Sequence, residues 1–314
     1  MHYGFGIDLG GTTVKLAFFC EDGTMLHKWE IPTDTSDSGK RILPDIAAAV
    51  LGHLEARNIP KSQVIGIGIA VPGPVLPDGT VNQCVNLGWG IFNVQTTLSA
   101  LTGLPVRAGN DANVAALGEY WQGGGKGFRD LVMVTLGTGV GGGVILEGRI
   151  LTGFSGAGGE IGHMTLHREE TVPCNCGKRG CVEQYCSATG IVRTARDYLA
   201  STDGPSVLRA VTGFTCKDIF DAAEAKDPAA LAVLEIFYAN AAEFIGNICC
   251  MVNPEAIVIG GGVSKAGLPL IEGIRRHLPR FLFHAAAGVS LQLASLGNDA
   301  GAIGAFKLIC DAAN

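Results

Sequence analysis

The sequence predicts an α/β fold composed of two related halves. A strand, a glycine-rich turn and a returning strand occur at residues 3–19 and again at residues 131–146. Apolar strand segments alternate with helical patterns along the chain, which is typical of largely parallel sheets. The length of 314 residues allows about two domains. We therefore expect a duplicated α/β architecture with one glycine-rich hairpin in each half.

Short apolar segments that are rich in β-branched residues predict the strands. In chain order they are Tyr3–Asp8, Val14–Phe19, Val64–Ala70, Val106–Ala108, Leu131–Leu136, Val144–Leu146 and Ala256–Ile259. Apolar residues at helical spacing predict the helices, which are Leu43–Leu54, Ala112–Trp121, most of residues 187–252, and Ala300–Cys310. Inside the third of these regions, Asp227-Pro228 predicts a helix start, because proline is favoured in the first helical turn.

The composition disfavours nucleic acid and membrane partners. Hydrophobic residues make up 47% and charged residues 17% of the chain, so a large core can form. The net charge is -6 and no block of Lys and Arg occurs, which argues against nucleic acid and anionic lipid. The segment Met1–Asp8 lacks the pattern of a signal peptide. No apolar run is expected to reach the roughly 18 residues that span a bilayer, so we expect a cytoplasmic protein.

The first glycine-rich turn carries groups that bind the phosphates of a nucleotide. These groups are Asp8, Gly10, Gly11, Thr12, Thr13 and Lys15. Glycines let backbone N–H groups approach phosphate oxygens, and threonine hydroxyls and a lysine add donors and charge. The carboxylate suits hydrated Mg²⁺. An ordinary hairpin also uses a Gly-Gly turn, so from this segment alone both interpretations stay open.

The second glycine-rich turn, Gly137–Gly142, fits the letters of a dinucleotide-binding G-x-G-x-x-G motif. That motif requires a helix next, whereas Gly143–Leu146 reads as a strand. No G-x-x-x-x-G-K-[ST] segment occurs either. The sequence therefore excludes both a dinucleotide fingerprint and a P-loop.

A metal site is predicted from the spacing of four residues: His163, Cys174, Cys176 and Cys181. Three thiolates and one imidazole make a closed tetrahedral set for zinc, and four protein ligands indicate a structural ion. The alternative is a loop with three reduced surface cysteines. The clustering of three of the ten cysteines within eight residues favours zinc.

These pieces, in this order, resemble the ROK family (repressors, open reading frames, kinases), which has the actin-like ATPase fold. The segments that carry the resemblance are Asp8–Thr13, Leu136–Gly143 with Glu147–Arg149, Gly159–His163, Cys174–Glu183 and Ile257–Gly262. The resemblance covers nearly the whole chain. It implies a duplicated ribonuclease H-like α/β fold with an interdomain cleft. The smaller domain would be residues 1–110 plus 300–314, and the larger would be residues 111–299.

The resemblance also implies the ligands and the residues that hold them. ATP and Mg²⁺ would be held by the first loop together with Gly137, Thr138, Gly139, Gly260, Gly261 and Gly262. The sugar would be held by Gly73, Asn86, Asn110, Asp111, Glu160, His163 and Glu183. Asp111 would be the catalytic base, and it also stands where a helix cap is expected. His163 would bind zinc with one ring nitrogen and face the sugar with the other. Gly109 departs from the acidic residue that many relatives carry.

The implied activity is ATP-dependent phosphorylation of a hexose at its 6-hydroxyl by a homodimer or homotetramer. Glucose is favoured because Val71–Val75 and Asn86–Trp89 are similar to the loops of the family's bacterial glucokinases. N-acetylmannosamine, N-acetylglucosamine and fructose stay open as substrates.

The sequence disfavours two other classes of protein relative to a kinase. A repressor of the family would carry a winged helix-turn-helix before the first loop, and only seven residues precede Asp8. A non-catalytic or chaperone-like ATPase of the same fold would not need the sugar-binding set or Asp111.

Overall fold

The structure is a computed structural model that describes residues 2–313. Its mixed α/β architecture confirms the predicted fold class. The chain divides into two compact units. The first consists of Met1–Arg129, Gly143–Gly159 and Leu296–Asn314, and the second consists of Asp130–Gly142 and Glu160–Ser295. The domain boundaries predicted from the sequence stay a prediction.

The strands and helices alternate along the chain. The strands are β1 (Tyr3–Leu9), β2 (Thr13–Cys20), β3 (Met25–Pro32), β4 (Val64–Val71), β5 (Thr80–Cys84), β6 (Trp89–Asn93), β7 (Val106–Asn110), β8 (Leu131–Leu136), β9 (Val140–Leu146), β10 (Arg149–Ile150), β11 (Ala256–Gly260) and β12 (Ser290–Leu293). The α-helices are α1 (Ser36–Gly39), α2 (Ile42–Ala56), α3 (Val94–Thr102), α4 (Asp111–Gln122), α5 (Glu183–Cys186), α6 (Ala188–Ser201), α7 (Cys216–Glu224), α8 (Pro228–Val252), α9 (Leu268–His277) and α10 (Ala300–Ala313). Every strand and helix predicted from the sequence is present.

The strand orders of the two five-stranded sheets correspond. The first sheet has the order β3-β2-β1-β4-β7 and the second the order β10-β9-β8-β11-β12. In the first sheet β1 pairs antiparallel with β2 and parallel with β4, and in the second β8 pairs parallel with β11. The glycine-rich turns thus join equivalent strands, which confirms the predicted internal similarity. A separate antiparallel pair is formed by β5 and β6.

Helix α10 packs closely on the first sheet because two strand residues are glycines. A Cβ on Gly6 would lie 1.9 Å from the Ala302 carbonyl oxygen, and one on Gly68 would lie 1.6 Å from that of Ala305. Any side chain at these positions would push the helix off β1 and β4. Helices α4 and α10 also pack against each other in this unit.

Two ionisable side chains are buried inside the first unit. Glu119 is fully buried, and its carboxylate accepts the N–H groups of Gly124 at 2.8 Å and Leu296 at 2.9 Å. His53 stacks on Trp29 at 4.6 Å between ring centroids. Its burial lowers the pKa of the imidazole to about 4, so His53 is neutral at physiological pH.

The second unit contains a long apolar core helix. Helix α8 begins as predicted, with Pro228 in its first turn and the Asp227 side chain accepting the Ala230 N–H at 3.0 Å. This helix of 25 residues is long and apolar enough to cross a membrane. The expectation that no segment reaches that length was therefore wrong. Because 61% of its most apolar 18-residue stretch is buried inside the protein, α8 fits the description of a core helix.

Candidate active site

The N-terminus of α4 holds together three of the residues predicted to bind sugar. Asn110 ends β7, and its amide donates to the Gly73 carbonyl at 3.1 Å and to Asp111 Oδ1 at 3.0 Å. Asp111 Oδ1 also accepts the Ala112 N–H at 2.8 Å. Since Asn110 Oδ1 accepts the Asn113 N–H at 3.1 Å, the cap of α4 is Asn110. The expectation that Asp111 is the cap was wrong, because Asp111 is the first helical residue.

Gly73 and Asn86 lie in loops of the first unit. Gly73 has a φ of +97°, in the left-handed region that favours glycine, and its bent backbone presents the carbonyl to Asn110. Asn86 is exposed in the short 3₁₀ turn Val85–Leu87. Asn110 thus ties Gly73 to Asp111, whereas Asn86 lies in a separate turn.

The first glycine-rich turn joins β1 to β2. Asp8 lies opposite Lys15, whose Nζ is 3.3 Å from the Asp8 carboxylate. The turn is held from outside by Thr33, which donates its hydroxyl to the Gly10 carbonyl at 2.7 Å and its N–H to the Thr12 carbonyl at 2.9 Å. Thr33 was not identified from the sequence.

The second glycine-rich turn is held by the start of α6. The Gly137 carbonyl accepts the Ala188 N–H at 2.8 Å, and the Thr138 carbonyl accepts the Thr189 hydroxyl at 2.9 Å. Ser187 caps α6 by accepting the Gly190 N–H at 3.0 Å. The backbone carbonyls of the turn therefore face α6.

A third glycine segment, Gly260–Gly262, follows β11. Gly261 has a φ of +82°, and a Cβ there would lie 2.5 Å from the Leu136 carbonyl oxygen. This position requires glycine both for its backbone conformation and for its close approach to the end of β8. The Ser264 hydroxyl, which donates to the Gly261 carbonyl at 2.7 Å, fixes the turn.

Glu183 contacts the second glycine-rich turn. Its Oε2 accepts the Val140 N–H at 3.1 Å, and a Cβ on Gly139 would lie 2.3 Å from the same oxygen. Its Oε1 lies 3.7 Å from Cys174 Sγ. Glu183 therefore lies between a predicted phosphate loop and the cysteine cluster, a placement that the sequence did not reveal.

The four predicted metal ligands converge at one point in the second unit. The ligand atoms of His163, Cys174, Cys176 and Cys181 all lie within 4.8 Å of one another. The Cys176 and Cys181 sulfurs are 3.6 Å apart, and a tetrahedral zinc with bonds of about 2.3 Å gives S···S edges of about 3.8 Å. Burial raises the pKa of the Cys181 thiol to about 12, and a divalent cation would stabilise its thiolate. The donor set and its spacing fit a structural zinc ion.

The ring of His163 faces two different groups. Nδ1 lies 3.9 Å from Cys174 Sγ, and Nε2 lies 3.9 Å from the Glu160 carboxylate. The Lys178 ammonium donates to the His163 carbonyl at 2.8 Å. The ring is thus placed so that Nδ1 can bind a metal while Nε2 points toward Glu160.

A half-buried charged network supports this corner of the second unit. Glu170 accepts the Tyr185 hydroxyl at 2.6 Å and the Arg193 guanidinium at 2.8 Å. The Tyr185 hydrogen bond is the largest cause that lowers the pKa of Glu170 to about 2. Because Tyr185 follows Glu183 on α5, the network fixes the helix that carries Glu183. None of its members was identified from the sequence.

Known proteins are similar to this chain in both sequence and fold. The ROK family model matches residues 4–312. The chain belongs to the ROK family. A glucokinase of Halalkalibacterium halodurans is 44% identical over 315 residues, covering 97% of this chain and 94% of that protein. An N-acetyl-D-glucosamine kinase of Yersinia pseudotuberculosis is 32% identical, covering 98% of both.

The structural likeness is to other ROK proteins. A ROK family glucokinase from Streptomyces griseus, whose crystal structure contains glucose and AMPPNP, is 32% identical with a TM-score of 0.75. The match covers 98% of each chain. The predicted membership of the ROK family and the predicted α/β class of the actin-like ATPases are confirmed.

Proposed function

We propose that this ROK protein transfers the terminal phosphoryl group of ATP to the 6-hydroxyl of glucose. The observation that carries the proposal is the fixed carboxylate of Asp111 at the N-terminus of α4, hydrogen-bonded to Asn110, which also holds Gly73. The relatives named glucokinase, together with the Streptomyces griseus glucokinase bound to glucose and AMPPNP, support glucose and ATP as the substrates.

Asp111 is proposed as the general base. Phosphoryl transfer has a loose transition state, so the protein mainly aligns the groups and stabilises charge. A carboxylate that accepts the proton of the attacking hydroxyl contributes about 10²–10⁴ in rate. The hydrogen bonds from Asn110 and Ala112 to Oδ1 orient the carboxylate, which lies at the positive end of the α4 dipole.

The sugar is proposed to be held by the residues that the family resemblance implies. The set is Gly73, Asn86, Asn110, Asp111, Glu160, His163 and Glu183. Carboxylates and amides of this kind can accept and donate hydrogen bonds to several hydroxyls of one hexose. His163 Nε2 and the Glu160 carboxylate are 3.9 Å apart, which leaves both side chains able to contact one sugar.

The nucleotide is proposed to lie on the three glycine segments. Gly10 and Gly137 donate their own N–H groups to the Thr13 and Gly139 carbonyls at 3.0 Å and 2.9 Å, so these two glycines would shape the turns. Backbone N–H groups at Gly11, Thr138 and Gly139 suit phosphate oxygens, and Gly260–Gly262 would border the adenosine. Thr12, Thr13 and Lys15 would supply further donors to the phosphates. Asp8 would hold a hydrated Mg²⁺, which would neutralise phosphate charge when bound.

Zinc is proposed as a structural ion held by His163 and the three clustered cysteines. Four protein ligands leave no open position for catalysis. The ion would brace the loop that carries His163 and the approach to α5, which begins at Glu183. A cytoplasmic location and a homodimeric or homotetrameric assembly also remain predictions.

A panel of acceptors tests the proposed function. The purified protein is assayed with ATP and Mg²⁺ against glucose, fructose, N-acetylglucosamine and N-acetylmannosamine, and kcat/KM is compared. We expect glucose to exceed each of the others by at least tenfold. A higher value for N-acetylglucosamine would favour the activity of the Yersinia relative, and no transfer to any hexose would refute the proposal.

A further inference from the structure

The second glycine-rich turn already has a carboxylate bound to it. Glu183 Oε2 accepts the Val140 N–H at 3.1 Å. The absence of a side chain at Gly139 makes this approach possible, because a Cβ there would lie 2.3 Å from the carboxylate oxygen. Backbone N–H groups of such turns are anion sites. A phosphoryl oxygen bound at this turn would therefore lie next to the Glu183 carboxylate.

Glu183 also lies at the sugar-binding corner of the second unit. It begins α5 immediately after the metal-ligand segment, and its Oε1 is 3.7 Å from Cys174 Sγ. A carboxylate that rotates to accept a sugar hydroxyl exchanges the Val140 N–H for a new donor. The cysteine cluster and the Glu170–Tyr185–Arg193 network hold the backbone of α5 while the side chain moves.

We infer that Glu183 couples the binding of the two substrates. When the Glu183 carboxylate lies on the second turn, its negative charge repels the nucleotide phosphates. When the carboxylate accepts a sugar hydroxyl instead, it leaves the turn free for the phosphates. Sugar binding then strengthens nucleotide binding, and by thermodynamic linkage the reverse holds equally. Couplings between two sites are typically about 5–150-fold. This inference rests on the proposed function, in which Glu183 contacts the sugar.

Calorimetric titration tests the coupling through Glu183→Gln, which keeps the size of the side chain and removes its charge. The Kd of AMPPNP with Mg²⁺ is measured with and without saturating glucose. In the native protein we expect glucose to lower this Kd about fivefold or more. In Glu183→Gln the Kd without glucose should already be about fivefold lower, and glucose should change it less than twofold. Glu169→Gln, which removes the same charge from an exposed residue, is the matched control and should behave as the native protein.

A second variant keeps the test decisive if Glu183→Gln does not fold. Glu183→Ala leaves the turn intact and removes the carboxylate from the Val140 N–H, so it should also tighten AMPPNP binding in the absence of sugar. An AMPPNP Kd without sugar that is unchanged in the folded variants would overturn the inference. So would native protein that binds glucose without any change in AMPPNP affinity. Native protein that fails to bind glucose would contradict the proposed function instead, while the sugar-free comparison still tests the role of Glu183.

Discussion

The substitution Asp111→Asn separates a catalytic role of this carboxylate from a structural one. Asp111 Oδ1 accepts two hydrogen bonds, from Ala112 at 2.8 Å and from Asn110 at 3.0 Å. An asparagine oxygen can accept both with the same geometry, and the cap of α4 belongs to Asn110. With these two hydrogen bonds kept, the folded state loses the interaction of a negative charge with the helix dipole, about 0.3–1 kcal/mol.

The same substitution removes the basicity that proton transfer requires. Loss of a general base typically lowers the rate by about 10²–10⁴, which corresponds to about 2.7–5.5 kcal/mol in the activation barrier. We expect kcat and kcat/KM to fall together by this range, because the interaction belongs to the transition state. Glucose affinity measured by calorimetry should change by less than about threefold.

A matched control replaces another acidic residue in a first helical turn. Asp218 lies in the first turn of α7, and Asp218→Asn removes a comparable charge from a helix N-terminus. It should lower stability by a similar amount and leave turnover unchanged. An Asp111→Asn protein with native turnover, or one whose lost activity tracks lost folding in denaturant titration, would refute the assignment of Asp111 as the base.

Three further predictions concern buried groups and the metal. Glu119→Leu removes the acceptor of the Gly124 and Leu296 N–H groups, which belong to half-buried residues. It should lower the free energy of unfolding, measured in urea, by about 1–3 kcal/mol. Exposed Glu224→Leu should change it by less than about 0.5 kcal/mol, and equal effects would contradict the reasoning. Metal analysis should find one zinc per chain, which Cys176→Ser loses and exposed Cys250→Ser keeps; active native enzyme without zinc would exclude the site. The pKa of His53 is about 4 in the folded protein, against 6.5 for an unperturbed imidazole. Stability should therefore be lost as the pH falls from about 6.5 to about 4, and His53→Phe should lessen that loss in urea titrations. An unchanged pH dependence would show that the imidazole is not held neutral.

The elements that the sequence predicts are those buried on both faces or along one long helical face. Strands β1, β4, β8 and β11 are mainly apolar because successive residues, which point to opposite faces of the sheet, are nearly all buried. Strand β3 was missed, since its residues are mostly exposed or half-buried and include Lys28 and Glu30. Helix α9 was missed because proline and glycine interrupt its short apolar face.

The candidate site was predictable where its residues stand close together in the sequence. The four metal ligands and the glycine turns are local patterns, and the structure brings the ligands within reach of one ion. Thr33 and Thr189 act on turns that lie 23 and 51 residues away, so no local spacing reveals them. The contact of Glu183 with Val140 spans 43 residues and arises only from folding.

Phosphoryl transfer from ATP to the 6-hydroxyl of glucose is tested most directly by NMR analysis of the product formed from ATP, Mg²⁺ and ¹³C-labelled glucose. The proposed chemistry predicts a single phosphate ester whose phosphorus couples to the two protons on carbon 6, formed by the native protein and not by Asp111→Asn. A product phosphorylated at another hydroxyl, or hydrolysis of ATP with glucose left unmodified, would contradict it.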